Sequence, residues 1–253
     1  MILSRRVALG GTQLDSLDNS IAILDVQAGV PHENVNTVNR MGGFGQRVTS
    51  QHWESLEVRV TFSIDINKKE LTSRRAVFDK AMKWAIDGGW LTTNQMSGKR
   101  MYAEKVVLPS GGDMWNWLAQ YTIIFIAYGV PFWQDATATS DVSGVLTVPG
   151  ILQTVCNAEI ENNGSSIIDS LTVTAGNSSM VFSSLGLAAG ETLKIGHRND
   201  GTLWLRIYNN NTYRSVLDKR TGGSADDLYV DPGARIVSAT SGTATFTCYG
   251  RYA

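Results

Sequence analysis

The residue types that most often carry catalysis or bind metals are scattered along this chain. Its three histidines, His32, His52 and His197, stand in separate segments, and none belongs to an HExxH motif. No serine lies in the GxSxG motif that exposes a nucleophile between a strand and a helix. The sequence therefore predicts neither a metal site nor nucleophilic catalysis.

Asp226 and Asp227 are adjacent, as two carboxylates of an acid/base or metal site can be, but the residues after them indicate a simpler role. The sequence LYVDPG, residues 228–233, is typical of a strand that runs into a turn. Aspartates at such a place accept hydrogen bonds from backbone amides. We interpret the pair as turn or cap residues, and we expect no enzyme activity and no cofactor.

Trp204, Tyr208 and Tyr213 are the residues best suited to contact a sugar, because the ring faces of Trp and Tyr stack on the CH groups of a pyranose. Trp204 alternates with Leu203 and Leu205 inside a predicted strand. Core packing or a contact between modules therefore explains Trp204 equally well. The three aromatic residues are candidates for a sugar or partner contact.

Composition indicates a globular chain without a charge bias. Of its 253 residues, 43% are hydrophobic and 18% are charged, which is enough apolar material for packed cores. Lys and Arg total 22 against 23 for Asp and Glu, so there is no positive excess to bind nucleic acid or an anionic membrane. The most apolar run, Tyr121–Val130, is well below the roughly 18 residues of a membrane span. We expect no sequence-specific binding of nucleic acid and no membrane insertion.

The first half of the chain predicts a mostly antiparallel sheet with one helix. Apolar and polar residues alternate from Trp53 to Ile66, which indicates a long strand with one buried face. Apolar residues at three- and four-residue spacing follow Ser73, the predicted N-cap of a helix. Two further strands are predicted at Met101–Leu108 and Trp117–Tyr128.

The segment Gln27–Gln51 interrupts this pattern. It is polar, rich in Asn and Gly, and has no continuous apolar face. A segment of this length without a core of its own is usually a flexible or partner-binding arm. The alternative is a long solvated hairpin.

A change of composition after Trp133 marks the predicted boundary between two modules, residues 1–134 and 144–253. In the second module, short runs of Val, Ile, Leu and Thr alternate with Asn, Asp and Gly turns, which is typical of a β-sandwich. Its Cys156 and Cys248 show no CxxC spacing, and we expect two reduced core thiols. A disulfide between them stays open, because they lie in the opening and closing strands of one module.

The order of features along the whole chain points to a known family. The first half carries LGGTQLDSL, the arm, SLEVRVTFSIDI, RRAVFDKAMKWAIDGGWL, KRMYAEKV and TIIFIAYGVPFW. The second half carries CNAEIENNGSS, IIDSLTVTAG, GETLKIG and ADDLYVDPGAR. This order resembles the distal tail protein family of long-tailed bacteriophages. The chain departs from the family at Arg235, two residues after the glycine of a late turn, where members often carry Asn.

The resemblance implies a mainly β fold, with an N-terminal antiparallel β module that has one α-helix and a long arm, and a C-terminal galectin-like β-sandwich. It also implies a homo-hexameric ring in the virion tail, assembled in the cytoplasm of the bacterial host. The expected partners are the tail tube protein, the baseplate hub (tail-associated) protein and receptor-binding proteins.

In that family the arm helps to hold neighbouring subunits, and it corresponds here to Gln27–Gln51. Arg40, Phe44, Gln46 and Arg47 are the predicted contact residues. A glycine-flanked aromatic residue with two arginines suits a groove on a symmetric neighbour.

Two functional hypotheses follow. The first is a structural ring component of a phage or prophage tail tip that connects the tail tube to the baseplate hub and adhesion proteins. The alternative is a carbohydrate-binding adhesion module. The resemblance alone does not favour sugar binding, because the sugar-contacting set of a lectin is not visible at its usual spacing and a fold does not confer an activity.

Overall fold

A computed structural model describes residues 5–39, 46–65, 71–109, 120–142 and 144–253. The chain divides into two compact units, Met1–Trp133 and Gln134–Ala253. The described residues form many antiparallel strands and one α-helix, which confirms the predicted fold class. Among the described residues, no helix is both long enough and apolar enough to cross a membrane.

The first unit combines one helix with strands of very different length. Its elements are β1 Val7–Leu9, β2 Thr12–Gln13, a 3₁₀ turn at Leu14–Ser16, β3 Ile21–Ala28, β4 His32–Asn39, β5 Gln46–Ile64, α1 Leu71–Ala85, β6 Gly89–Thr93, β7 Lys99–Ala103, β8 Lys105–Val107 and β9 Gln120–Ala127. β10, at Trp133–Asp135, spans the division between the units.

Two antiparallel sheets organise this unit. One has the order β3-β5-β9-β8, with β4 also paired to β5, and in the other β2, β1, β6 and β7 lie side by side. Leu56, Val58, Val60 and Phe62 of β5 are fully buried at alternate positions. This alternation confirms the predicted long strand with one buried face, because successive side chains of a strand point to opposite faces.

Helix α1 presents its apolar positions to the unit's core, where Val77, Phe78, Ala81 and Ala85 are buried. The ring of Phe78 contacts Tyr121 of β9, with 4.9 Å between ring centroids. The prediction of Ser73 as the N-cap was wrong, because the helix begins at Leu71. An N-cap residue precedes the first helical residue, and Ser73 is the third residue of the helix.

The strand predicted at Met101–Leu108 is in fact two strands. The chain bends at Glu104, so that β7 pairs with β6 in one sheet and β8 pairs with β9 in the other. The backbone N–H of Glu104 donates to the carbonyl of Ile126 at 2.9 Å, and its carboxylate accepts from the N–H of Gly129 at 2.8 Å. The single-strand prediction was wrong because a local pattern does not report a change of pairing partner.

The second unit is made of short strands joined by tight turns. Its elements are β11 Thr139–Asp141, β12 Val145–Val148, β13 Thr154–Glu161, β14 Leu171–Ala175, β15 Ser178–Phe182, β16 Thr192–His197, β17 Leu203–Asn209, β18 Thr212–Ser215, a 3₁₀ turn at Leu217–Lys219, β19 Tyr229–Val230, β20 Gly233–Ala239, β21 Thr243–Cys248 and β22 Arg251–Tyr252.

Two sheets enclose the core of this unit as a β-sandwich. One has the order β11-β21-β13-β16-β17-β18 with β19 paired to β13, and the other has the order β12-β20-β14-β15. Phe182 of the smaller sheet and Phe246 of the larger one are fully buried in the same hydrophobic cluster. Residues 139–141, in the segment that we predicted to lie between the modules, form β11 and pair with β21.

Cys156 and Cys248 face each other across β13 and β21, and both are buried and free. Burial raises the pKa of the Cys156 thiol to about 12 and that of Cys248 to about 11.

At the late turn, Arg235 donates to the carbonyls of Asp231 and Pro232 at 3.0 and 2.8 Å. Arg235 therefore closes the turn at the position where the chain departs from the family pattern.

Candidate functional site

The long strand β5 extends beyond the sheet to which it belongs. From Leu56 onward it pairs with β9, and from Val58 onward also with β3. Its earlier part, residues 46–55, pairs with β4. At 3.3 Å per residue, this part is about 33 Å long. The two strands form a two-stranded ribbon, residues 32–39 and 46–55, which we call the arm.

The arm has no hydrophobic face in the part whose side chains are described. None of the residues 32–37, 50 and 52–55 is buried. The contacts across the strands are polar: Asn34 donates to Glu54 at 2.5 Å, and Asn36 donates to Ser50 at 2.8 Å. An isolated two-stranded hairpin is marginally stable in water at best. The conformation of the arm therefore depends on its attachment at the root and on contacts with another surface.

The root of the arm is firmly attached to the first unit. Gly29 donates its N–H to the carbonyl of Glu57 at 3.0 Å, and a Cβ at this position would collide with the same carbonyl. The indole N–H of Trp133 donates to the carbonyl of Gly29 at 3.2 Å. The ring of Trp53 meets Phe132 edge to face, with 5.5 Å between centroids.

The predicted contact residues of the arm fall at or beyond the last described pairs of the ribbon. Gln46 and Arg47 are the first two residues of β5, where they pair with Asn39 and Val38 of β4. Arg40 and Phe44 lie outside the described residues. The interpretation of these four residues as a subunit contact stays a prediction.

The second candidate site is the outer face of the larger sheet of the sandwich. Polar and charged residues line up in register across five strands on this face: Thr245, Glu159, Lys194, Arg206 and Ser215. In the neighbouring rows, Thr192 pairs with Tyr208 and Tyr208 with Tyr213, while Gly196 pairs with Trp204. The register thus brings the three predicted aromatic residues to one face.

Trp204 lies on this outer face and not in the core. Leu205 and Ile207 of the same strand are buried in the hydrophobic cluster, whereas Trp204 is half-buried on the opposite side. Its six-membered ring lies over Gly196, where a Cβ would come within 2.9 Å of Cζ2, Cε2 and Cη2. The core-packing interpretation of Trp204 was wrong, because the pleat of β17 places only the odd-numbered residues inward.

Two cations lie over the aromatic rings. The guanidinium carbon of Arg206 is 5.2 Å from the ring centroid of Trp204 and 4.2 Å from that of Tyr213. The ammonium of Lys194 is 5.4 Å from the centroid of Tyr208, and the two tyrosine rings are 5.6 Å apart. These separations fall within the range of cation–π and aromatic contacts, so the side chains restrain one another.

Beside Trp204 the face contains a small cleft of about 190 Å³, which we call the Trp204 cleft. It is lined by Asn157, Glu159, Lys194, Ile195, Gly196, His197, Trp204, Thr245 and Thr247. The ammonium of Lys194 is 2.9 Å from a carboxylate oxygen of Glu159, so that the two charges offset each other. The rest of the lining consists of His197 and residues without an ionisable side chain.

His197, the last residue of β16, connects this cleft to a buried carboxylate. Its Nε2 lies 2.8 Å from both carboxylate oxygens of Asp227, and its Nδ1 lies 2.7 Å from Oδ1 of Asn157. The side chains of His197 and Asp227 are only 5% and 10% exposed. A carboxylate only accepts hydrogen bonds, so Nε2 is the donor. The histidine thereby fixes the amide of Asn157 at the cleft.

Asp227 also accepts from the backbone N–H of Leu228 at 2.7 Å, which is the cap contact predicted for it. The pairing with His197 was missed, because the two residues are 30 positions apart. Asp226, by contrast, is fully exposed beside Arg220. Within the described residues, no group of three or more His, Cys, Asp and Glu side chains is placed to hold a metal ion.

The described residues form a mainly β fold of two compact units. The chain is similar to the Dit protein of SPP1, a paradigm of the hub adsorption apparatus in phages that infect Gram-positive bacteria, with a TM-score of 0.72 over 98% of this chain and 99% of that chain. A chain of the phage P2 baseplate, in its activated conformation with Ca, is similar over 98% of both chains with a TM-score of 0.53.

The sequence identities to these two structures are 11% and 8%, so the likeness is one of fold. No protein-family model and no curated protein matches the sequence significantly. The distal tail protein fold that the sequence order predicted is confirmed by the structural match.

Proposed function

We propose that this protein is a non-enzymatic structural component of a phage or prophage tail tip. In this proposal it forms a homo-hexameric ring that connects the tail tube protein to the baseplate hub protein and offers its outer surface to adhesion proteins. The observation that carries the proposal is the similarity to SPP1 Dit over 98% of this chain and 99% of that chain. The likeness therefore includes both units.

The shape and polarity of the arm support the proposed ring. It extends about 33 Å along a strand direction, and its described side chains are all half-buried or exposed. A ribbon of this kind gains order when it packs on another surface. In a closed ring each subunit offers the same surface to the next one, so a single arm and a single groove satisfy every interface.

The first experiment measures the mass of the purified protein by light scattering after size exclusion, followed by negative-stain imaging of the peak. We expect a mass near six chains and ring-shaped particles. The tail tube and hub proteins are then added in a second run. A protein that stays monomeric over a wide concentration range, alone and with both partners, contradicts the proposal.

A shortened arm tests the interface itself. Asn36 and Ser50 form a regular cross-strand pair, so residues 37–49 can be replaced by an Asn-Gly turn that closes the hairpin at this point. We expect this variant to keep its fold and to lose the ring. Arg47→Ala should weaken the ring, whereas Arg75→Ala, on the exposed surface of α1, should not. An unchanged ring in the shortened variant would exclude the arm as the subunit contact.

A further inference from the structure

We propose that the Trp204 cleft binds one pyranose ring of a neutral saccharide. The inference goes beyond the proposed ring and does not depend on it, since every residue that it uses belongs to the second unit. It assigns Trp204 as the stacking platform and Asn157, Thr245 and Thr247 as the groups that bind sugar hydroxyls.

The platform depends on Gly196. Because this residue has no side chain, the indole ring of Trp204 lies with one face against the backbone of β16. Its other face is directed away from the sheet, and the guanidinium carbon of Arg206 lies 5.2 Å from the centroid of this ring, so that a sugar stacked there would also contact Arg206. An aromatic face carries negative electrostatic potential, which attracts the weakly positive CH groups on one side of a pyranose. Tyr213, with 58% of its surface exposed, extends the aromatic surface beyond the cleft.

The polar lining matches the chemistry of sugar hydroxyls, which both donate and accept hydrogen bonds. Thr245 and Thr247 supply hydroxyl groups of the same kind, at adjacent outward positions of β21. Nδ1 of His197 lies 2.7 Å from the side-chain amide of Asn157, so that this amide is already oriented at the cleft. A polar group that is already oriented loses less entropy on binding than a free one.

Charge and size select a single neutral ring. Lys194 and Glu159 form an ion pair at 2.9 Å inside the lining, so the cleft offers no uncompensated charge from these two residues. Its volume of about 190 Å³ is smaller than the roughly 300–1,000 Å³ of pockets for drug-sized ligands. One ring fits such a volume, while the rest of a longer glycan would lie on the exposed sheet beside Tyr208 and Tyr213.

The test uses saturation-transfer NMR on the full chain with methyl glycosides of glucose, galactose, mannose and N-acetylglucosamine, one at a time. We expect transfer to the ring CH protons of at least one of them. Trp204→Ala should weaken binding about tenfold, the factor of a lost stacking contact. Ile236→Ala is the matched control, because Ile236 is 71% exposed on the smaller sheet of the same unit.

Two further variants guard against a folding defect. Thr247→Val keeps the shape of the side chain and removes its hydroxyl, so it should weaken binding while the protein spectrum stays unchanged. Gly196→Ala should displace the indole ring and weaken binding in the same way. Equal transfer in wild type and Trp204→Ala would overturn the proposal, as would transfer to adenosine with none to the four glycosides. Neither result bears on the ring, which the mass measurement tests separately.

Discussion

Removal of the His197 side chain should destabilise the second unit more than a substitution at any exposed position. In His197→Ala, the carboxylate of Asp227 loses a donor that lies 2.8 Å from both of its oxygens and keeps the N–H of Leu228. With a side chain only 10% exposed, it has little access to water as a replacement. Breaking a buried pair by removing one partner costs about 3–5 kcal/mol. For a unit of this size, the loss corresponds to a decrease in melting temperature of roughly 10 °C or more.

Hydrogen exchange of the full chain, read on peptides from β13 and β16, measures the opening of this unit. His197→Ala should speed exchange in both strands. The double variant with Asp227→Asn should recover part of the loss, because the remaining buried group is then neutral. His52→Ala is the control: its ring is 54% exposed and 3.8 Å from Glu54, and exposed pairs contribute about 0–1 kcal/mol. A loss below about 1 kcal/mol in His197→Ala would refute the reasoning.

Three further predictions concern Glu191, the two cysteines and Gly29. Hydrogen bonds from Arg214, above all, lower the pKa of Glu191. The carboxylate therefore stabilises the fold above its unfolded pKa of about 4.3, and this contribution is lost as the pH falls through the folded pKa. The free energy of unfolding should depend less on acid pH in Glu191→Gln than in the wild type, and identical pH dependence would contradict this. Cys156, with its pKa raised to about 12, and Cys248, with its pKa raised to about 11, should resist iodoacetamide at pH 8 until the protein is unfolded, and rapid labelling of the native protein would refute their burial. Gly29→Ala should destabilise the first unit by about 1–3 kcal/mol in a urea titration, because its Cβ overlaps a backbone carbonyl of the neighbouring strand, and an unchanged midpoint would show that the strand can move.

The agreement between sequence and structure is best where the signal is local. The alternation from Trp53 onward predicts a buried strand face, and the spacing of Val77, Phe78 and Ala81 predicts a helix face, because each pattern follows from the repeat of one element. The starts of elements are less well predicted. Ser73 has the chemistry of an N-cap, yet residues before it are already helical.

The candidate sites depended on contacts that no local pattern contains. The Trp204 cleft joins β21, β13, β16 and β17, and its platform requires Gly196 opposite Trp204 on the neighbouring strand. Likewise, His197 meets Asp227 only because the chain returns past β16 just before β19. These residues become neighbours only when the strands pair and the chain folds back on itself.

By itself, the sequence determined the mainly β class, the single described helix and the order of features that the distal tail protein fold shares. Apolar periodicity and turn residues specify each element from within about a dozen positions. The tertiary structure alone decided that Met101–Leu108 divides between two sheets and that Trp204 faces outward. Both depend on which strands become neighbours, and that choice rests on the burial of surfaces far apart in the chain.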